Sequence, residues 1–193
     1  NHDFDYDSYV IHRYTYDNNG NLSTKSRYDF WGVSEPPVVS FDGDPIRSET
    51  YTFNAFNQLT QVAKNASVTT YTYNGDGLRT RKTAGSQVTK HFLDGQNVVA
   101  EQRSYKIEKY KRGLSLISVT DNDIPDPQTF YYLHDAHGNV EANLGKDGTI
   151  TTSYVYDAFG TEFLGESTGY YDSPFHYCGE YYDYESGLIY LRN

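Results

Sequence analysis

The chain has 193 residues, with 26 acidic side chains against 16 Lys and Arg and a formal net charge of -10, a balance that repels phosphate backbones and argues against nucleic-acid binding. No run approaches about 18 apolar residues, and Asn1-His2-Asp3-Phe4 has neither a basic start nor an apolar stretch, so neither a membrane span nor a signal peptide is expected. Tyr occurs 21 times and Phe 10 times while Met is absent, so aromatic rings must supply buried area that aliphatic residues provide elsewhere, in a thin core.

The first informative phrase is Tyr14-Thr15-Tyr16-Asp17-Asn18-Asn19-Gly20-Asn21-Leu22: aromatic, any residue, aromatic, Asp or Asn, two residues, Gly, a polar residue and an aliphatic one. It returns at Tyr51 (with Phe53, Asn54 and Leu59), at Tyr71 (with Tyr73, Asn74 and Leu78), at Tyr132 (with Asp135, Gly138 and Val140) and at Tyr154 (with Tyr156, Asp157 and Gly160), and more weakly from His91 to Val98. Asn54, Asn74 and Asp94 are 20 residues apart, Asp135 follows after 41 and Asp157 after 22. A unit of about twenty residues holds two strands of about six and two turns, a β-hairpin. Aromatics at i and i+2 share one face of a strand, so each phrase sets two rings on one side. The Asp or Asn then bonds the backbone two residues on and the glycine accepts positive φ, which turns the chain. Return strands follow, as in Leu59-Thr60-Gln61-Val62 and Thr149-Ile150-Thr151-Thr152. No window of a dozen residues reads as an amphipathic helix.

Two stretches break the period. Residues 31 to 48, with Trp31, Pro36, Pro37, Gly43 and Pro45, read as a long loop, and residues 102 to 129 hold an extra element with a strand near Tyr110 to Val119. The expectation is one segment, 1 to 193, of repetitive antiparallel hairpins in a curved or spiralling all-β sheet.

Candidate chemistry is sparse. His134, Asp135 and His137 are the best metal cluster by donor type, but they occupy a phrase turn where such side chains bond backbone or water. Asp3, Asp5 and Asp7 alternate like calcium ligands without the EF-hand glycine and terminal glutamate, and read as a solvated strand edge. Cys178, the one cysteine, leaves no internal disulfide, and alternation sets His176 away from it. Lys106, Lys109, Lys111 and Arg112 form the one basic cluster, read as a solvated strand face. Exposed Tyr rings and Trp31 would make a carbohydrate surface, while ladder packing of the same rings is the plainer reading. Asn21-Leu22-Ser23 and Asn65-Ala66-Ser67 match a glycosylation pattern that chance supplies easily.

The Tyr-x-Tyr-Asp-x-x-Gly-Asn-Leu spacing resembles the YD repeat, and the later part of the chain resembles the Rhs-repeat-associated core. The matching residues there are Gln96 to Glu101, Arg112-Gly113-Leu114, Tyr131 to Asp135 with Gly138-Asn139-Val140, Tyr154 to Gly160, Pro174-Phe175, Gly179 to Asp183 and Gly187 to Arg192. The resemblance implies a sheet that spirals into a hollow shell, which in bacterial toxins encloses a toxin domain; related shells occur in insecticidal toxin complexes, wall-associated proteins and teneurin receptors. In that family the core continues to an aspartate self-cleavage site with Asp-Pro-x-Gly character. Asp44-Pro45 and Asp126-Pro127 lack the glycine, and no protease role is carried onto them. The expectations are therefore a structural shell or scaffold segment of a secreted or cell-surface bacterial protein or exported toxin, with a cell-surface adhesion or carbohydrate-binding module as the alternative. No enzyme activity, cofactor or catalytic residue is expected. The partners implied are the remaining repeats of the same shell or an enclosed toxin domain, self-association, and a glycan.

Overall fold

The computed structural model describes residues 8–31, 43–122, 127–163, 167–169, 171 and 173–192. Asp3, Asp5, Asp7, Asp126 and most of the 31–48 loop lie outside the described residues. The fold is all-β, with antiparallel strands ordered as in the sequence. The chain divides into two compact units, Asn1–Thr70 and Tyr71–Asn193.

The first unit holds β1 (Ser8–Tyr16), β2 (Leu22–Trp31), β3 (Arg47–Phe53), β4 (Leu59–Lys64) and the start of β5 (Ser67–Tyr73). β1 pairs with β2 in unbroken register from Ser8↔Trp31 to Thr15↔Thr24, then slips by one at Tyr16↔Leu22; β3 and β4 slip in the same way at Phe53↔Leu59. The slip has a local cause in each case. Asp17 Oδ1 accepts the backbone N–H of Asn19 (2.9 Å) and of Asn21 (2.8 Å), and Gly20 takes φ +83°. Asn54 Oδ1 accepts from Phe56 (2.9 Å) and Gln58 (3.1 Å), with Asn57 at φ 58° in the glycine's place. One side-chain oxygen satisfies two N–H groups that the bulged ladder leaves unpaired, which is the physical demand for Asp or Asn at this position. Asn21 Nδ2 donates to Asn57 Oδ1 at 3.0 Å and so joins two successive turns. Tyr51 is buried and its hydroxyl donates to Glu49 (2.7 Å), whereas Tyr14 and Tyr16 stay exposed.

The second unit continues with β6 (Arg79–Ala84), β7 (Gln87–Asp94), β8 (Asn97–Arg103), β9 (Lys106–Arg112), β10 (Leu116–Asp121), β11 (Gln128–His134), β12 (Val140–Leu144), β13 (Ile150–Ser153) and the two-residue β14 (Thr168–Gly169). Residues 102–129, expected to interrupt the period, instead supply β9 and β10 in ordinary register, Ala100↔Lys109 and Lys109↔Thr120. In their turns Ser104 (φ 54°) and the Gly113-Leu114-Ser115 bend stand in place of the Asp or Asn signal.

One face of this unit's sheet is covered by the chain's own last stretch, Tyr171 to Arg192, with a 3-10 turn at Tyr177–Gly179 and a hairpin of β15 (Tyr181–Asp183) and β16 (Leu188–Tyr190). A single sheet cannot bury both faces, so the aromatic side needs such a cover. Val98, Tyr110, Leu116, Val119, Phe130, Tyr132, Val140 and Tyr154 from the sheet meet Tyr171, Phe175 and Tyr181 from the cover. Phe130 stacks on Tyr171 at 4.2 Å between centroids, and Tyr110 meets Phe175 edge-on at 4.9 Å. The first ring of each phrase, at Tyr71, Tyr132 and Tyr154, is buried, and the second residue of the pair, Tyr73, His134 or Tyr156, is half-buried nearer the turn.

Gly148 and Gly160 share φ +83°, but a Cβ on Gly148 would meet nothing within 4 Å while one on Gly160 would lie 2.6 Å from the Tyr177 ring. Gly148→Ala is expected to cost about 1–2 kcal/mol of backbone strain, and Gly160→Ala clearly more because Tyr177 must also move. Equal urea midpoints for the two variants would contradict this packing.

Candidate functional site

His134, Asp135 and His137, the best metal cluster by donor type, are not brought together. His134 Nε2 sits 2.8 Å from the Leu116 carbonyl oxygen, and Asp135 Oδ1 accepts the N–H groups of His137 (2.8 Å) and Asn139 (2.9 Å) while Oδ2 accepts from Asn139 Nδ2 (2.7 Å). Desolvation is the largest single influence on Asp135 and opposes its ionisation, but the hydrogen bonds together outweigh it and hold the carboxyl below its ordinary range. Among the described residues no group of three or more His, Cys, Asp or Glu is placed to hold a metal ion.

His137 turns the other way, its Nδ1 3.8 Å from Cys178 Sγ. Sequence spacing hid this approach, because the two positions meet only when the covering stretch folds back and Cys178 N donates to Asn139 Oδ1 (2.9 Å). His176, the neighbour in sequence, instead bonds the Ser173 carbonyl (2.6 Å) and the Tyr184 hydroxyl (2.8 Å) and lies 3.1 Å from Glu162. Desolvation, with Glu180 and Asp135 adding to it, raises the Cys178 pKa, so the thiol is not activated.

The basic cluster is split by strand alternation. Lys106 bridges Glu108 (3.3 Å) and Asp121 (2.8 Å), and Arg112 lies over the Phe175 ring at 4.8 Å, both on the covered face, whereas Lys109 and Lys111 point to solvent on the open one.

The densest arrangement of functional groups is one the sequence did not announce, a buried cluster of ions and phenols where the β15–β16 hairpin lies on β6 to β9. Glu101, whose side chain has no exposed surface, accepts from the Tyr110 hydroxyl (3.0 Å), from the Tyr181 hydroxyl and from Arg103 Nη2 (3.2 Å). Arg103 also reaches Glu108 (2.9 Å), and Glu108 accepts from Tyr171 (3.3 Å). A few ångströms away, Arg79 Nη1 donates to Asp183 Oδ2 at 2.5 Å and Lys82 Nζ lies 3.2 Å from Asp183 Oδ1 and 2.8 Å from Glu185. The Arg79 guanidinium is packed among Tyr190 (4.2 Å to the centroid), Tyr71 and Tyr181 (both 5.0 Å), so its remaining N–H groups, which lack hydrogen-bond acceptors, face aromatic rings.

Burial alone would neutralise Glu101; the adjoining His91, then Arg103 and the two phenols, outweigh it and keep the carboxyl below its usual range. His91 Nε2 lies 3.4 Å from Glu101, yet desolvation first, then the cations Arg79, Lys82 and Arg103, bring its pKa down to about 4 against the pull of Glu101. The imidazole is therefore neutral near pH 7, and Arg103 carries the charge that Glu101 needs. Burial, with Glu101 and Glu108 or Asp183 adding to it, raises the Tyr110 and Tyr181 pKa values well above the ordinary phenol value, so both hydroxyls remain donors.

No family model matches the chain. It is 33% identical over 167 residues to the tRNA3(Ser)-specific nuclease WapA of Bacillus spizizenii, and 31% identical over 165 residues to the tRNA nuclease WapA of Bacillus subtilis. Each match covers 79% of this chain but 7% of the relative, so the chain spans a small part of the length of these proteins. Among solved structures, TcdB2-TccC3 without its hypervariable C-terminal region aligns with a TM-score of 0.59 at 18% identity, covering 94% of this chain and 11% of that one. The TcdB2-TccC3 crystal structure gives 0.55 at 15% identity, covering 95% and 12%. At that identity the likeness speaks for the fold. With the recurring phrase, these findings support a chain of the Rhs/YD-repeat type. They also correct the expectation of a non-enzymatic protein, because the relatives are named as tRNA nucleases.

Two outcomes follow from the cluster. Arg79→Met leaves Asp183 buried beside Lys82 alone, and the expected loss is about 3–5 kcal/mol in chemical denaturation, the usual cost of breaking a buried pair from one side. The His91 pKa is depressed in the folded chain relative to 6.5 unfolded. Above pH 6.5 His91 is neutral in both states; as pH falls towards about 4 the unfolded state takes up the proton first, so stability is lost through that window. His91→Gln is expected to flatten this part of the Tm-against-pH curve, and an unchanged slope would show that His91 is not its source.

Proposed function

We propose that the chain is a wall segment of a larger Rhs/YD-repeat protein of the toxin type, and that the larger protein acts as a nuclease on tRNA. The observation that carries the wall reading is the covered face. Ionised, aromatic and apolar side chains of the sheet are sealed by Tyr171 to Arg192 through Arg79–Asp183 and Glu101–Tyr181, rather than left open for solvent or ligand. A wall must keep one face shut and its hairpins in register, and both tasks fall here to hydrogen bonds with few alternative geometries.

The nuclease reading rests on the relatives' names and belongs to the whole protein. Export to the cell surface or beyond follows from the toxin reading. Among the described residues no helix is long and apolar enough to cross a membrane, a statement that leaves β-barrels aside. The carbohydrate alternative gains no support from Tyr51, Tyr71, Tyr132 and Tyr154, which are buried, and of the phrase rings Tyr14 and Tyr16 alone are exposed.

The parent protein is expected to cleave a tRNA pool and to resist limited proteolysis across residues 171–192. An intact tRNA pool after incubation removes the nuclease part. Proteolytic loss of 171–192 ahead of other segments removes the wall part.

A further inference from the structure

Beside the buried cluster, next to the β7–β8 turn, the second unit has a cleft whose walls come from both the sheet and its cover. Asn97, Val98 and Arg112 line it from β8 and β9, and Phe175, Glu180 and Arg192 from the covering stretch. Its ionised lining is two guanidinia and one carboxylate, which leaves a surplus of one positive charge. Arg192 is engaged by its neighbours, Nη2 donating to Glu180 and Nη1 to Asn97 Oδ1 (3.2 Å). Arg112 is engaged at one edge only. Its Nε donates to the Val98 carbonyl (3.2 Å) and the group lies over the Phe175 ring, but among the described residues neither Nη has an acceptor and the guanidinium enters no ion pair. Burial, then the like charge of Arg192, push the Arg112 pKa down, a strain that an added anion relieves. The rest of the lining is apolar in effect: the Tyr181 hydroxyl donates to Glu101 and the Tyr190 hydroxyl accepts the Arg79 N–H (2.8 Å), so both residues offer the cleft ring carbon.

We propose that this cleft binds a small monocarboxylate with a flat or apolar body, its two oxygens on the Nη1–Nη2 edge of Arg112. A carboxylate matches the two parallel N–H groups of a guanidinium edge, and the pair of charge-assisted hydrogen bonds fixes its orientation. Its single charge equals the surplus in the cleft, whereas a phosphate monoester carries about 1.5 to 2 negative charges and would bring the excess up against Glu180. The apolar lining suits the body of the acid. The empty volume is about 240 Å³, below the roughly 300–1,000 Å³ of clefts that take drug-sized ligands, so the body is of one-ring size.

The experiment titrates the 193-residue chain with benzoate and follows the Asn97, Val98 and Glu180 amides and the Arg112 Nε–H by proton–nitrogen NMR. Benzamide, the neutral counterpart, and phenyl phosphate, with the same ring and more charge, are titrated alongside. Saturable shifts at these four groups are expected with benzoate, and affinity about tenfold weaker for either comparison compound. Arg112→Gln should weaken benzoate about tenfold, and Arg112→Lys, which keeps the charge but loses the two-pronged edge, about threefold or more. Lys111→Gln removes the neighbouring charge on the opposite face and should leave affinity within about twofold. Spectra unchanged away from the cleft show that the variants fold, and the benzamide comparison on the unmodified chain depends on no variant. Absence of saturable shifts with benzoate, equal affinity for benzamide, tighter binding of phenyl phosphate, or full affinity in a folded Arg112→Gln chain would each overturn the proposal.

Discussion

Glu101 sits at the middle of the covered face with its carboxylate cut off from water, and the second unit is arranged around keeping it charged. An unpaired buried carboxylate is unaffordable for a protein of ordinary stability. Arg103 supplies the counter-charge from the end of the same strand, Tyr110 a hydroxyl from the next, and Tyr181 a hydroxyl from the covering hairpin. Two of these partners come with the sheet and the third arrives only when the chain's last stretch lies down. Closure of that stretch and satisfaction of Glu101 are thus one event, and the Arg79–Asp183 pair repeats the device at the adjoining strand. A purely apolar face would seal as well but would tolerate a slipped register, whereas a carboxylate with three fixed donors does not.

The hairpin architecture was legible because each phrase contains its own instruction. Asp17, Asn54, Asn74, Asp135 and Asp157 each turn an oxygen onto the N–H groups two and four residues on, a local interaction visible in sequence order. Where the instruction is absent, at Ser104-Tyr105 and at Gly113 to Ser115, the reading of 102–129 as an extra element missed that the meander simply continues. Ring burial was legible by half: alternation put Tyr71 and Tyr73 on one face, but only contact with the covering stretch decides that the first ring is the deeper.

The buried cluster was illegible for a different reason. Arg79 and Asp183 are separated by 104 positions, Glu101 and Tyr181 by 80, and no periodicity links them. Lys82, Glu101, Arg103 and Glu108 each look like an ordinary polar residue of a strand wetted on one side. A composition rich in phenols but poor in aliphatic residues was the available signal, because a phenol buries area while offering a hydroxyl that a buried ion needs. His137 and Cys178 show the same limit, being 41 positions apart and brought together by the fold-back.

The open face follows from the covered one. On β8 and β9 charged residues recur two apart, Glu101 with Arg103 and Lys106 with Glu108 on the covered side, and Lys109 with Lys111 on the open one. A period of two keeps each of these pairs on one side. The carboxylates go where phenols and Arg103 can hold them, and the lysines at positions 109 and 111 go where water can. Because the covered face consumes the carboxylates of these strands, the cations outside have none to neutralise them. The acidic total is made up in the turns, at Asp17, Asp76, Asp94 and Asp147, all of them exposed. A chain with a formal charge of -10 therefore presents a basic strip on one face, and a partner's charge is read from that strip within a Debye length rather than from the total.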